Sequence, residues 1–164
     1  MEIRLRATGE VISDREFYVR SPMAPVPLTA EWLDTFGGDV IFEGPQATGG
    51  TVYQYSQRDG VEQQADGKWY TKYILGPVFK DTVSEDGTVV TAAEQESAYK
   101  ARRDAEQAQN VRNQRDRLLA DTDWTQARDV TLTNDADYVT YRQALRDVPA
   151  QTGFPWTIEW PVKP

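Results

Sequence analysis

The eleven glycines and nine prolines of this chain all lie outside residues 91–120. Inside that window the run AAEQESAYKARRDAEQAQNVRNQRDRLLA is dense in Ala, Glu, Gln, Arg and Leu, the residues that lose least on entering a helix. The window predicts one uninterrupted helix of about 28 residues, roughly 42 Å long at 1.5 Å per residue. Its inner positions are small: Ala98, Ala101, Ala105 and Ala108 keep three-to-four spacing, and larger apolar residues come only at Val111, Leu118 and Leu119. Such a helix buries little by itself. It is a spacer or half of a slender coiled coil, and Arg112 and Arg115 on the extrapolated seam weigh against the second.

Before the helix, to about residue 88, short alternating runs are separated by turn residues. EIRLR sets Ile3 and Leu5 against Glu2, Arg4 and Arg6, the period of a half-buried strand, and Gly9 permits a turn into a second strand, EVISDREFYV. SPMAPVP is an extended linker, because Pro22, Pro25 and Pro27 fix φ and remove donors. In LTAEWLDTFGGD, Thr29 is a candidate N-cap, Trp32, Leu33 and Phe36 share one face, and Gly37 and Gly38 stop the helix. DVIFEG and TVYQYSQ read as strands, QQADGKWYTKYIL as two strands joined at Asp66-Gly67, and the Asp-Gly pairs at 59–60 and 86–87 as further turns.

After the long helix, NDADYVTYRQALRDV predicts another. Asn134 is a candidate N-cap, Asp135 and Asp137 lie at the positive end of the dipole, and Arg142 and Arg146 lie near the negative end. Tyr138, Tyr141, Leu145 and Val148 form one apolar stripe, which Leu118, Leu119, Trp124, Val130 and Leu132 can pack against. The last stretch, QTGFPWTIEWPVKP, is rich in large rings and prolines where fraying ends are usually small and polar. It is expected to strap the open side of a helical hairpin. The fold class is therefore α+β: residues 1–88 form a small antiparallel β-rich docking lobe with one short helix, and residues 89–164 form the long helix and the strapped hairpin.

Composition removes most chemistry. The chain has no cysteine and no histidine, so disulfides, thiolate nucleophiles and His-based acid/base or metal chemistry are excluded. A net charge of −8 argues against binding nucleic acid by phosphate neutralisation. The six basic residues between Lys100 and Arg117, set against Asp104, Glu106 and Asp116, read as a solvated helix face. YILGPVF is far too short to span a membrane, and MEIRLR is unlike a signal peptide, so no membrane insertion is expected and the chain reads as cytosolic when made. Asp121 with Asp123, and Asp135 with Asp137, lack the glycine and terminal Glu of a calcium loop, while EGPQATGG lacks the Gly-Lys-Ser/Thr ending of a phosphate loop. No catalytic residue, metal ligand or cofactor is assigned. Without His or Cys, and with its acids at turns and helix starts, the chain does not read as an enzyme.

The ordered combination of RDRLLADTDW, YRQALRDVP and FPWTIEWP resembles the C-terminal domain of phage tail assembly chaperone-like proteins over about residues 98–164. The resemblance implies a tailed-bacteriophage context and a non-enzymatic role, in which this chain binds a tail-fibre or baseplate protein and helps it to assemble or attach. It implies work in the host cytoplasm during assembly. The alternative is a permanent structural subunit retained in the virion tail, and behind it a glycan-binding receptor tip; an oligomer is left open. Trp124, Tyr141, Phe154, Trp156 and Trp160 are the residues expected to form the partner-binding or strap surface.

Because apolar density dips between Thr91 and Gln109, limited proteolysis of the free protein is expected to cut near Lys100 to Arg103 and leave a resistant N-terminal fragment. Uniform resistance across the segment would mean that the helix is packed along its whole length.

Overall fold

The structure, a computed structural model, describes residues 1–127 and 129–164. Arg128, inside the motif region after Trp124, lies outside the described residues. The chain divides into two compact units, Met1–Val78 and Phe79–Pro164.

The first unit is a curled five-stranded mixed sheet with two short helices. Its strands are β1 (Glu2–Leu5), β2 (Val11–Ser13), β3 (Gly38–Phe42), β4 (Tyr55–Gln63) and β5 (Trp69–Gly76), in the order β2-β1-β3-β5-β4. All pairings are antiparallel except β3 with β5, which run parallel with Ile41 opposite Trp69 and Phe42 opposite Tyr70. The α+β class holds, with a parallel pair and a second helix that alternation alone did not reveal. That helix, α1 (Asp14–Arg20), takes over where the second strand was expected to continue. Its reason is local: Ser13 Oγ accepts the Glu16 amide at 3.1 Å and stops the strand as an N-cap. The helix α2 (Ala30–Thr35) begins at the expected cap, with Thr29 Oγ1 accepting the Trp32 amide.

Ile3, Ile12, Phe17, Ala24 and Leu33 form the core of this unit, with Trp32, Leu28 and Val40 packed against it. Trp32 stands edge-on to Phe17 and stacks on Phe36. The curl brings Arg58 of β4 to Glu2 of β1 in a bidentate pair at 2.8 and 2.7 Å. Those hydrogen bonds hold the Glu2 carboxyl below its usual range. Asp59-Gly60 is not a hairpin turn, because the register shifts between Arg58 and Val61 and Gly60, at φ +83°, forms a bulge within β4. The Asp66-Gly67 and Asp86-Gly87 pairs do make the turns between β4 and β5 and between the two strands of the next hairpin.

After β3 the chain crosses close over β5. The Gly44 amide donates to Thr71 Oγ1 at 2.7 Å in the interior, and a Cβ at Gly44 would sit 2.0 Å from the Thr71 carbonyl oxygen. EGPQATGG is thus a crossing segment, with Gly44 chosen for close approach.

The second unit opens with a small hairpin, β6 (Thr82–Val83) and β7 (Val89–Val90), followed by α3 (Ala92–Ala120), the single long helix that the glycine- and proline-free window predicts. Thr91 and Glu94 form a reciprocal capping box, and Asp81 Oδ1 accepts the Ala92 amide at 2.7 Å. Ala98, Ala101 and Ala105 were expected inside but are exposed; only Ala108 and Val111 are buried. The first turns of α3 are instead supported by Glu96–Lys100, Arg102–Glu106 and Arg103–Glu106 pairs, so there the alanines serve helix propensity and not packing.

Replacing Gly44 by Ala drives a methyl into a main-chain carbonyl. It should destabilise the protein by about 1–3 kcal/mol, the usual cost of overpacking, as a lower denaturation midpoint in urea; an unchanged midpoint would show that the crossing is not tight.

Candidate functional site: a strapped helical hairpin

The third helix is followed by a turn, a 3-10 segment at Asp123–Gln126, and then α4 (Asp135–Asp147). The stripe expected on α4 is the buried one: Tyr138, Tyr141, Leu145 and Val148 are all in the core. Burial first, and then the Asp121 carboxylate, push the Tyr141 phenol above its ordinary value. Asn134 occupies the N-cap position without a side-chain capping bond.

Arg142 does something the sequence did not disclose. Expected near the solvated negative end of its own helix, it turns inward and is only 7% exposed. Its Nη1 donates to the Leu119 carbonyl at 2.8 Å and to Thr122 Oγ1 at 2.7 Å, and its Nη2 donates to Asp123 Oδ1 at 2.8 Å. The last carbonyls of α3 lack intrahelical partners. Thr122, fully buried, helps by reaching Leu119 O, and Arg142 supplies a positive charge at the negative end of α3. One side chain of α4 therefore closes the end of α3 and fixes the turn between them. The missed signal was register: Arg142 follows Tyr138 by four residues, on the buried side.

The turn displays Trp124. Although it packs edge-on against Tyr138 with ring centres 5.9 Å apart, it is 50% exposed. Of the other expected residues, Tyr141 is buried, while Phe154, Trp156 and Trp160 are half-buried. The tail makes several polar and cation–ring contacts. Trp156 Nε1 donates to Asp104 Oδ1 at 2.6 Å, Arg103 lies over the Trp156 ring at 6.0 Å, and Arg112 lies over Phe154 at 5.4 Å. The Gln151 amide pairs with the backbone of Glu159 in both directions at 2.8 and 2.9 Å, and the Tyr138 hydroxyl donates to Pro164 O at 3.3 Å. The structure thus sets Trp124 against Tyr138 of α4, keeps Tyr141 on the buried face of α4 itself, and brings Phe154 and Trp156 to α3. Among the described residues, no group of three or more His, Cys, Asp or Glu side chains is placed to hold a metal ion, and no helix is long and apolar enough to cross a membrane.

Residues 108–164, about a third of the chain, match a family model described as phage tail assembly chaperone protein. The matched stretch runs from the buried part of α3 through the turn, α4 and the strap, so this part of the chain is phage tail assembly chaperone-like. No curated protein and no solved structure matches the chain.

Replacing Arg142 by Met removes the charged donor shared by the Leu119 carbonyl and the Thr122 hydroxyl, although Leu119 O still accepts from the Thr122 amide and hydroxyl. It should cost about 1.5–3 kcal/mol, the range for hydrogen bonds to charged groups. Replacing Asp123, whose side chain is 66% exposed, by Asn should cost less than about 1 kcal/mol. Thermal unfolding of both variants reads the contrast, and equal losses would relocate the value of the network to the ion pair.

Proposed function

We propose that the protein is a non-enzymatic phage tail protein that binds a tail-fibre or baseplate component and assists its assembly or attachment. The observation that carries this reading is the family match over the strapped hairpin. Fixed aromatic surface on that hairpin gives the match a physical counterpart, since tail components that are β-rich and repetitive expose apolar surface and strand edges before they assemble. A stable hairpin that covers such surface reduces aggregation by burial alone and requires no chemistry. The open edge of β4, nine residues long, offers a second means of contact through unpaired backbone groups. On this reading the protein acts in the host cytoplasm while tails are being built, and departs.

Co-expression with tail-fibre and baseplate proteins of the same phage tests the proposal. The expected result is a higher soluble fraction of one of them and its co-purification, with the protein absent from purified particles. No effect on any of these components would overturn the reading. Fixed stoichiometry in particles would replace the departing helper by a permanent virion subunit.

A further inference from the structure

The five-stranded sheet has two outer edges, and they differ. One is β2, three residues long and ended by the Ser13 cap of α1. The other is β4, Tyr55–Gln63, nine residues long and paired only with β5. Its sequence YSQRDGVEQ holds no proline and no lysine, the residues that commonly blunt an exposed edge, and the bulge at Gly60 is its one interruption. Among the described residues, no backbone group of β4 hydrogen-bonds to backbone outside β5.

The hairpin between β4 and β5 fixes which groups are free. The Gln64 amide donates to Lys68 O at 3.0 Å, which makes Gln64 and Lys68 a hydrogen-bonded pair. Bonded and non-bonded pairs alternate along an antiparallel ladder. Glu62, opposite Tyr70, therefore turns its amide and carbonyl toward β5, while Val61, opposite Thr71, and Gln63, opposite Trp69, turn theirs away. Amides and carbonyls pointing outward from every second residue have one natural complement, another extended backbone.

A second copy of this chain fits that edge badly. Symmetric antiparallel pairing of Val61 with Gln63 sets Glu62 directly against its own copy, a like-charge pair at the closest cross-strand spacing. Arg58 and Asp59 are paired with Glu2 and Lys72, whereas Glu62 is in no ion pair among the described residues that would neutralise it. Sliding the register one way opposes the copy to the bulge, and sliding it the other way runs into the turn at Asp66-Gly67. A strand of different sequence meets none of these obstacles.

We infer that the Val61–Gln63 edge of β4 is extended by a strand of the tail protein that this chain assists, with a residue that is not acidic opposite Glu62. The inference rests on the tail-assembly reading and specifies the mode of contact at one edge, backbone to backbone, with few demands on the partner's side chains.

The test uses the full chain in complex with the tail-fibre or baseplate protein that co-purifies with it. Hydrogen exchange should find the Val61 and Gln63 amides unprotected in the free protein and slowed on the order of tenfold or more in the complex, with little change at Glu62, which β5 already protects. Gln63→Pro removes only an outward donor and sets a ring where the partner's carbonyl would lie, so it should weaken binding on the order of tenfold. Gln63→Ala loses the same side chain, with its 2.7 Å bond to Gly67 O, but keeps the amide and should bind as the wild type does. If Gln63→Pro disturbs the sheet, read as lost protection at Glu62, exchange in the wild-type complex decides. Unchanged exchange at Val61 and Gln63 in that complex, a folded proline variant that binds like the alanine one, or protection of both amides when the free protein is concentrated enough to self-associate overturns the assignment and leaves the tail reading standing. Failure of the wild-type chain to retain any tail protein removes both.

Discussion

Arg142 is the constraint on which the C-terminal unit turns. A long helix ends in carbonyls that must find donors, and water is the usual solution. Here the end of α3 lies against α4, and a guanidinium from the second helix meets it with hydrogen bonds and charge together. Removing an arginine from water is costly unless its donors are satisfied; here both Nη atoms are, while Nε is buried with no hydrogen-bond partner among the described residues. Four groups on three chain segments are consequently locked to one another, including Asp123, which borders the displayed Trp124. Surface and interior are thus one arrangement: the ring outside is fixed because the cation inside is.

The N-terminal unit achieves order by another route. Its sheet is small and curled, and its connections cross at short range, as where Gly44 lies on Thr71. Charge pairs such as Arg58–Glu2 sit on partly exposed surface and add modestly. The apolar cluster of Ile3, Ile12, Phe17 and Leu33 does most of the stabilising, and it is built from residues close in sequence to the two short helices that cover the sheet.

Much of this was legible in the residues. Uninterrupted helix formers gave α3, a three-to-four stripe gave the buried face of α4, and Asp-Gly pairs gave two of three turns, because each is a local effect of backbone geometry and periodicity. The failures are equally physical. Ser13 with Glu16 makes a cap that outweighed alternation, Gly60 makes a bulge where a turn was expected, and the first alanines of α3 stay in solvent because nothing in this unit covers them. At the site, the tail aromatics were evident as a group, whereas the ring-to-arginine contacts of Phe154 and Trp156 were not. Arg112 had counted against a coiled-coil seam, and it is the cation that lies over Phe154. Arg142 escaped notice because a charged residue in a helix is usually solvated, and only the position of another helix's end makes it otherwise.

The hydrogen bond between Trp156 and Asp104 joins residues 52 positions apart, whereas Arg142 meets Thr122 across only 20. Closing the larger loop costs more chain entropy, and the surface it closes on exists only once α3 is formed. The natural order of assembly is therefore hairpin first and strap last. Reversed, the same order describes loosening: the strap is the segment that detaches while the hairpin keeps its register, so slow-exchanging amides belong to the facing turns of α3 and α4, and the tail belongs to the fast-exchanging fraction.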